Sequence, residues 1–387
     1  MPDAAQNYAA QNSLSPASGE RVGVRGLTHP SRSRVAIVLF NLGAPDRPEA
    51  IRPFLLNLFR DPAILRVPFF VRPFLARFLA HRRLAPATAN YTLLGGKSPL
   101  LELTQAQATA LEAALPELSA RSFIAMRYWH PFSEETARAV KAWNPDEVIL
   151  LPLYPQYSTT TTGSSLTAWR NAATKVALVT QVTAICCYPD DPTFIAATAG
   201  QIAAEYDRAI ASLPSGTRLR VLFSAHGLPE AIVRRGDPYQ WQIERTAAAL
   251  ADALDRPGLD WIVCYQSRAT PQKWLEPSTE HEVERAARDG VAVLVVPIAF
   301  VSEHSETLVE LDVEYRTLAS RHGVPGYFRV PAQNDQPAFI STLADLVRHA
   351  RAAGPGTCSA GLHRTCPATF TACPLALRPL STSSSDN

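Results

Sequence analysis

The sequence predicts an α/β fold of two similar halves, each built on a parallel sheet. Short apolar runs such as Arg34 to Asn41 (RVAIVLFN) and Val291 to Phe300 (VAVLVVPIAF) read as strands buried on both faces. Helical patterns alternate with these runs, which calls for right-handed crossovers between parallel neighbours. The alternation restarts near Val176 without a close sequence repeat, so one architecture is used twice.

The first strand leads through the Gly43-Ala44-Pro45-Asp46 turn into a helical pattern from Glu49 to Phe59; the turn lacks GxGxxG and supports no dinucleotide site. From Val67 to Ala85 apolar residues alternate with Arg72, Arg77, Arg82 and Arg83. Pro68 and Pro73 interrupt this stretch, which reads as an irregular basic and aromatic lip able to touch a membrane surface, or as an amphipathic helix packed on the core. A Gly95-Gly96-Lys97-Ser98-Pro99 turn follows, then a helix at about Leu101 to Leu115, a strand at Ser122 to Tyr128, a helix at Ser133 to Trp143 and a strand at Glu147 to Leu153. The hydroxyl-rich Tyr154 to Ser165 precedes a short helix at Leu166 to Ala172 and reads as the lining of a polar cleft. The second half is expected to place strands at Val176 to Ile185, Leu219 to Ser224, Asp260 to Tyr265 and Val291 to Phe300. Its helices are expected at Pro192 to Leu213, Pro238 to Leu254 and Glu280 to Asp289.

At 387 residues with 47% hydrophobic content the chain can fill two domain cores, and a net charge of +2 gives no bias towards nucleic acid. The domains are expected at residues 1–33 (a disordered leader), 34–175, 176–350 and 351–387 (a Cys-containing tail). The leader lacks an apolar secretory core, though its Arg and Ser would also suit organelle targeting, and no long apolar span appears. The expected location is the cytoplasm.

Two stretches carry chemistry. In Phe300 to Tyr315 helical spacing sets Glu306, Glu310 and Glu314 on one face, just beyond a buried strand. Like charges at this spacing oppose a helix by about 0.2–0.5 kcal/mol per pair, so the row needs open water, a cation or a proton relay. In Leu219 to Pro229 (LRVLFSAHGLP) a strand ends at His226, and an imidazole facing those carboxylates would pass protons or hold a divalent metal.

These stretches form an ordered set with NLGAP (Asn41 to Pro45), GGKSP (Gly95 to Pro99), RYWHP (Arg127 to Pro131), LPLYPQYS with TTGSS (Leu151 to Ser165), CYQSR with WL (Cys264 to Leu275) and SEHSETLVELDVEY (Ser302 to Tyr315). Over about Val35 to Ala350 the sequence resembles the ferrochelatases, bacterial type, lyases that insert ferrous iron into protoporphyrin IX at the end of haem synthesis. The resemblance implies two Rossmann-like, chelatase-type domains facing across a porphyrin cleft, and a wide-wound helix carrying the acidic row. It implies catalysis by His226 and Glu306, with His226, Glu306, Glu310 and Glu314 on the metal or proton route. Leu42, Tyr91, Ser98, Arg127, Tyr128, Tyr154 and Trp274 would line or hold the porphyrin. Arg127 and Lys97 could meet its propionates, and an ion pair within the protein is an equal use of Arg127.

The resemblance also implies that the partners are protoporphyrin IX and Fe2+ as substrate; the composition calls for no nucleic acid, and the basic, aromatic lip is expected to make peripheral membrane contact at the inner face. Some members of the family carry a [2Fe–2S] cluster near the C-terminus. Here Cys358, Cys366 and Cys373 are candidate ligands, Cys186 or Cys187 a candidate fourth, and Thr159 occupies the position of the animal enzymes' mid-chain cysteine; free thiols in a disordered tail are the other reading. Leu42, aliphatic where a Tyr could stand, favours protoporphyrin over coproporphyrin or another tetrapyrrole. A haem or metal carrier without turnover remains the reading from a different class. Nothing in the sequence sets an oligomeric state.

Overall fold

The computed structural model describes residues 33–268 and 272–376; the expected leader up to Arg32 and the Ser-rich end of the tail lie outside the described residues. The first half runs β1 (Arg34–Asn41), a 3-10 turn (Pro48–Ala50), α1 (Ile51–Arg60), α2 (Arg72–Leu93), α3 (Leu100–Ala113), β2 (Ser119–Met126), α4 (Ser133–Trp143), β3 (Glu147–Pro152), α5 (Thr162–Lys175) and β4 (Gln181–Ile185). The chain continues through α6 (Pro192–Ser212), β5 (Leu219–His226), α7 (Glu230–Val233), α8 (Tyr239–Ala253), β6 (Asp260–Gln266), α9 (Thr279–Asp289) and β7 (Ala292–Pro297). It ends with a π-helix (Glu306–Tyr315), α10 (Arg316–His322), β8 (Tyr327–Arg329), α11 (Pro337–Ala353) and β9 (Gly356–Cys358).

Both sheets are parallel, with strand orders β2-β1-β3-β4-β9 and β6-β5-β7-β8. Their central strands are buried throughout, as the continuous apolar runs require; Val35 to Phe40 and Ala292 to Val295 are essentially inaccessible. Helices cover both faces and obey local rules. In α1, Ile51, Leu55 and Phe59 make one buried stripe. The Asp191 carboxylate caps α6 by accepting from the Thr193 and Phe194 amides, with Pro192 in the first turn.

Two expectations change. The strand expected to open the second half is shorter, and it pairs with β3 (Glu147 beside Gln181) in the first sheet. Strand partners are set by register, which one sequence does not display. The chain passes to the second sheet only through α6. It returns through α11, which packs on α6 and α3, and β9 then extends the first sheet from within the expected tail. The break between sheets therefore follows β4, not residue 175. Secondly, the basic lip is a continuous helix from Arg72 and not an irregular segment, because Pro73 falls in the first turn, where the missing N–H costs nothing.

Candidate active site

The carboxyl ends of the strands carry five of the residues singled out above. His226 is the last residue of β5, Leu42 follows β1, Arg127 and Tyr128 follow β2, and Tyr154 lies just past β3. Gly227 lets β5 end abruptly: a Cβ there would lie 2.8 Å from the Gln266 carbonyl oxygen and 3.2 Å from the Trp274 ring.

The His226 Nδ1 lies 2.6 Å from the Gly227 carbonyl oxygen. A carbonyl only accepts, so Nδ1 carries a proton and Nε2 is the exchangeable nitrogen. That Nε2 faces the Glu306 Oε1 at 3.5 Å, and the two side chains are 37% and 36% exposed, so the pair is reachable from solvent. Burial works against the imidazolium, but Glu306, with help from the Gly227 carbonyl, outweighs it and raises His226 from 6.5 to about 9. Burial likewise opposes ionisation of Glu306, yet His226 and His304 hold it down at about 2. The pair's contribution to stability is present in full between pH 4.5 and 6.5, wanes as pH rises through about 9 and as it falls through about 2, and is reduced by solvent screening. The Tyr239 hydroxyl donates to the His226 carbonyl at 3.1 Å, while the Phe300 ring stands edge-on to both His226 and His304.

The wide-wound helix is present over Glu306–Tyr315, but its acidic row does not act as one set. The Glu310 carboxylate accepts from Gln266 Nε2 (3.0 Å), the Ser267 amide (2.9 Å), the Ser267 hydroxyl (2.5 Å) and the Tyr315 hydroxyl (2.9 Å). Burial and then Glu306 raise its pKa, against those hydrogen bonds. Glu314 is exposed to water. Among the described residues no three His, Cys, Asp or Glu side chains are placed to hold one metal ion, so His226, Glu306, Glu310 and Glu314 do not form a joint shell.

The residues expected to line the porphyrin divide similarly. Tyr91 reaches from α2 to the start of the π-helix, its hydroxyl 3.5 Å from Ser305 Oγ, and burial lifts it to about 12. Leu42 is half-buried beside the Phe40, Tyr154 and Trp169 cluster, and Trp274 packs over Gly227. The Ser98 hydroxyl is buried and accepts from the Leu100 amide at 3.3 Å, so it braces the turn that leads into α3. Lys97 pairs with Glu102 at the surface.

Arg127 makes the ion pair allowed for it, 2.8 Å from the Asp61 Oδ2. Asp61, absent from the residues read from sequence, also accepts from the Tyr128 hydroxyl (2.9 Å), the Ser164 hydroxyl (2.5 Å) and the Ala63 amide (2.8 Å). One buried carboxylate thus fixes two residues of the RYWHP motif. Its only signal in the sequence is an acid at the end of an amphipathic helix.

With this geometry in place, comparison with known proteins is decisive. The ferrochelatase family model matches residues 34–351. The chain belongs to the ferrochelatase family. A ferrochelatase of Caulobacter vibrioides (strain NA1000 / CB15N) is 51% identical over 345 residues, covering 88% of this chain and 97% of that protein. One from Phenylobacterium zucineum (strain HLK1) is 54% identical over 316 residues, covering 81% and 90%. Among solved structures, SirB from Bacillus subtilis with Fe3+ aligns with 82% of this chain and 96% of its own at 14% identity and a TM-score of 0.48. The two parallel sheets and the π-helix described above are thus those of a ferrochelatase-family chain.

Proposed function

We propose that the chain is a protoporphyrin ferrochelatase, a lyase that inserts Fe2+ into protoporphyrin IX and releases two pyrrole protons. The observation that carries this reading is His226, its Nδ1 held by the Gly227 carbonyl and its Nε2 aimed at the Glu306 carboxylate. A porphyrin gives up two N–H protons as the metal enters, so the site needs bases opposite the ring. Neutral His226 takes one at Nε2 and Glu306 carries a proton onward. Tyr91, Trp274 and Leu42 supply apolar contact for the macrocycle, and a wall that distorts the ring exposes its lone pairs. Glu310 supports the floor of the site, and Glu314 can collect ferrous ion from solvent. The test is anaerobic incubation with Fe2+ and either protoporphyrin IX or coproporphyrin, following loss of porphyrin fluorescence. Faster turnover of protoporphyrin is expected. Faster coproporphyrin turnover moves the substrate assignment, and binding without turnover of either leaves a carrier.

From the placement of the cysteines we also propose a [2Fe–2S] cluster, which would have to draw their sulfurs together, since no three of them are grouped to hold one metal ion among the described residues. Cys186, Cys187, Cys366 and Cys373 share one apolar cluster, with Cys358 buried nearby on β9, so the described part of the tail is packed. The Cys186 and Cys187 sulfurs lie 3.3 Å apart, and the Gln242 amide sits 3.5 Å from Cys187 Sγ and 3.2 Å from Cys366 Sγ. Cys366 donates to Cys373 and draws its thiol down, while the same contact and burial push Cys366 up. A shielded set of thiols is the feature that favours the cluster, whose ligands would come from Cys366, Cys373, Cys358 and the Cys186–Cys187 pair. Anaerobically purified protein should show visible absorption and, after dithionite, a paramagnetic signal, both lost in Cys366→Ser; iron-free protein whose thiols all titrate contradicts this.

The lip supports peripheral membrane contact. Phe69, Phe70, Phe74 and Phe78 are 79%, 63%, 72% and 56% exposed, with Arg77 and Arg82 on the same exposed stretch, while Arg72 folds back to the Leu65 and Val67 carbonyls. No helix among the described residues is long and apolar enough to cross a membrane. Vesicles containing anionic lipid should float the protein, and Phe69→Ser, Phe70→Ser and Phe74→Ser together should leave it at the bottom; equal flotation of both contradicts the contact.

A further inference from the structure

We infer that Gln266 is a positioning residue that sets the approach of His226 to Glu306, an inference that rests on the chelatase reading above. Gln266 ends β6 directly beside His226 in the parallel register, and it is fully buried. Its side chain joins the two elements that carry the pair. On the β5 side, Gln266 Oε1 accepts from the Ser224 hydroxyl at 2.9 Å, and the Gln266 carbonyl accepts from the Gly227 amide at 2.7 Å. On the π-helix side, Gln266 Nε2 donates to the Glu306 carbonyl at 3.0 Å and to Glu310 Oε2 at 3.0 Å.

The amide orientation follows from chemistry. A flipped amide would set Oε1 against a carbonyl and a carboxylate, neither of which donates. Every polar position of the side chain is therefore in use, and no other side chain of similar size supplies one acceptor and two donors to these partners. Glu310 completes the clamp, since its remaining bonds to Ser267 and Tyr315 lock the backbone after Gln266 to the same helix. Ser267 holds φ of +63, a conformation that needs such support. The clamp gives Glu310 a role that a place in a linear acidic relay does not.

Gln266→Met keeps the volume and removes the bonds. The expected result is kcat lower by about 10- to 100-fold, the cost of a small misplacement of reacting groups, with KM for porphyrin within about twofold. In a Glu306→Gln background the same change should cost little more, because both act on one pair. Unchanged kcat in folded Gln266→Met, or losses that multiply in the double variant, overturns the assignment. Amide hydrogen exchange reads the clamp without turnover. Exchange over residues 306–311 should rise at least tenfold in Gln266→Met while the β5 core stays protected, and unchanged exchange sinks the clamp even if the wild type proves not to be a chelatase.

Discussion

His226→Ala should lower metal insertion by about 10²- to 10⁴-fold, the usual contribution of a placed acid or base, while porphyrin binding persists. The contacts proposed for Leu42, Tyr91 and Trp274 do not run through the imidazole, so affinity should change little. The variant removes the larger of the two imidazole influences that hold Glu306 at about 2, so its pKa rises under the pull of burial. Fluorescence quenching measures binding and haem absorbance measures turnover on the same sample. Turnover within threefold of wild type would remove His226 from the chemistry.

The second large effect is on stability. Asp61→Ala removes a buried carboxylate from the Arg127 guanidinium and from the Tyr128 and Ser164 hydroxyls together. Leaving a mostly buried charge unpaired costs about 3–5 kcal/mol, and the abandoned hydroxyls add to it. Urea unfolding should show a lower midpoint with the slope unchanged, their product giving a loss of that size. A loss below about 1 kcal/mol would mean that water or the porphyrin side of the cleft already satisfies Arg127.

Much of this was legible in the chain because the strands are buried on both faces and so appear as unbroken apolar runs. His226 stood out as a His at the end of one such run, and Glu306 as the first of three acids at helical spacing after another. What the spacing could not show is that three acids on one helix face have three different fates. Glu310 turns to Gln266 and Ser267, residues more than forty positions earlier in the chain, and nothing local to the π-helix announces that. Asp61, Gln266 and Gln242 were missed for the same reason. Each is a single polar residue whose meaning comes from partners on other elements. The sheet allegiance of β4 was hidden by register, and α2 was misread because a proline in a first turn looks like one in a helix interior.

The pairing of His226 with Glu306 is the centre of the account, and the pH dependence of kcat/KM tests it most directly. Since the imidazole must be neutral to accept a proton, kcat/KM in the wild type should rise with pH and level off only above about 9. In Glu306→Gln that limb should move down towards 6.5, the ordinary value for the group. A wild-type profile that is flat across this range, or a limb that the Glu306→Gln change leaves in place, would contradict the pair.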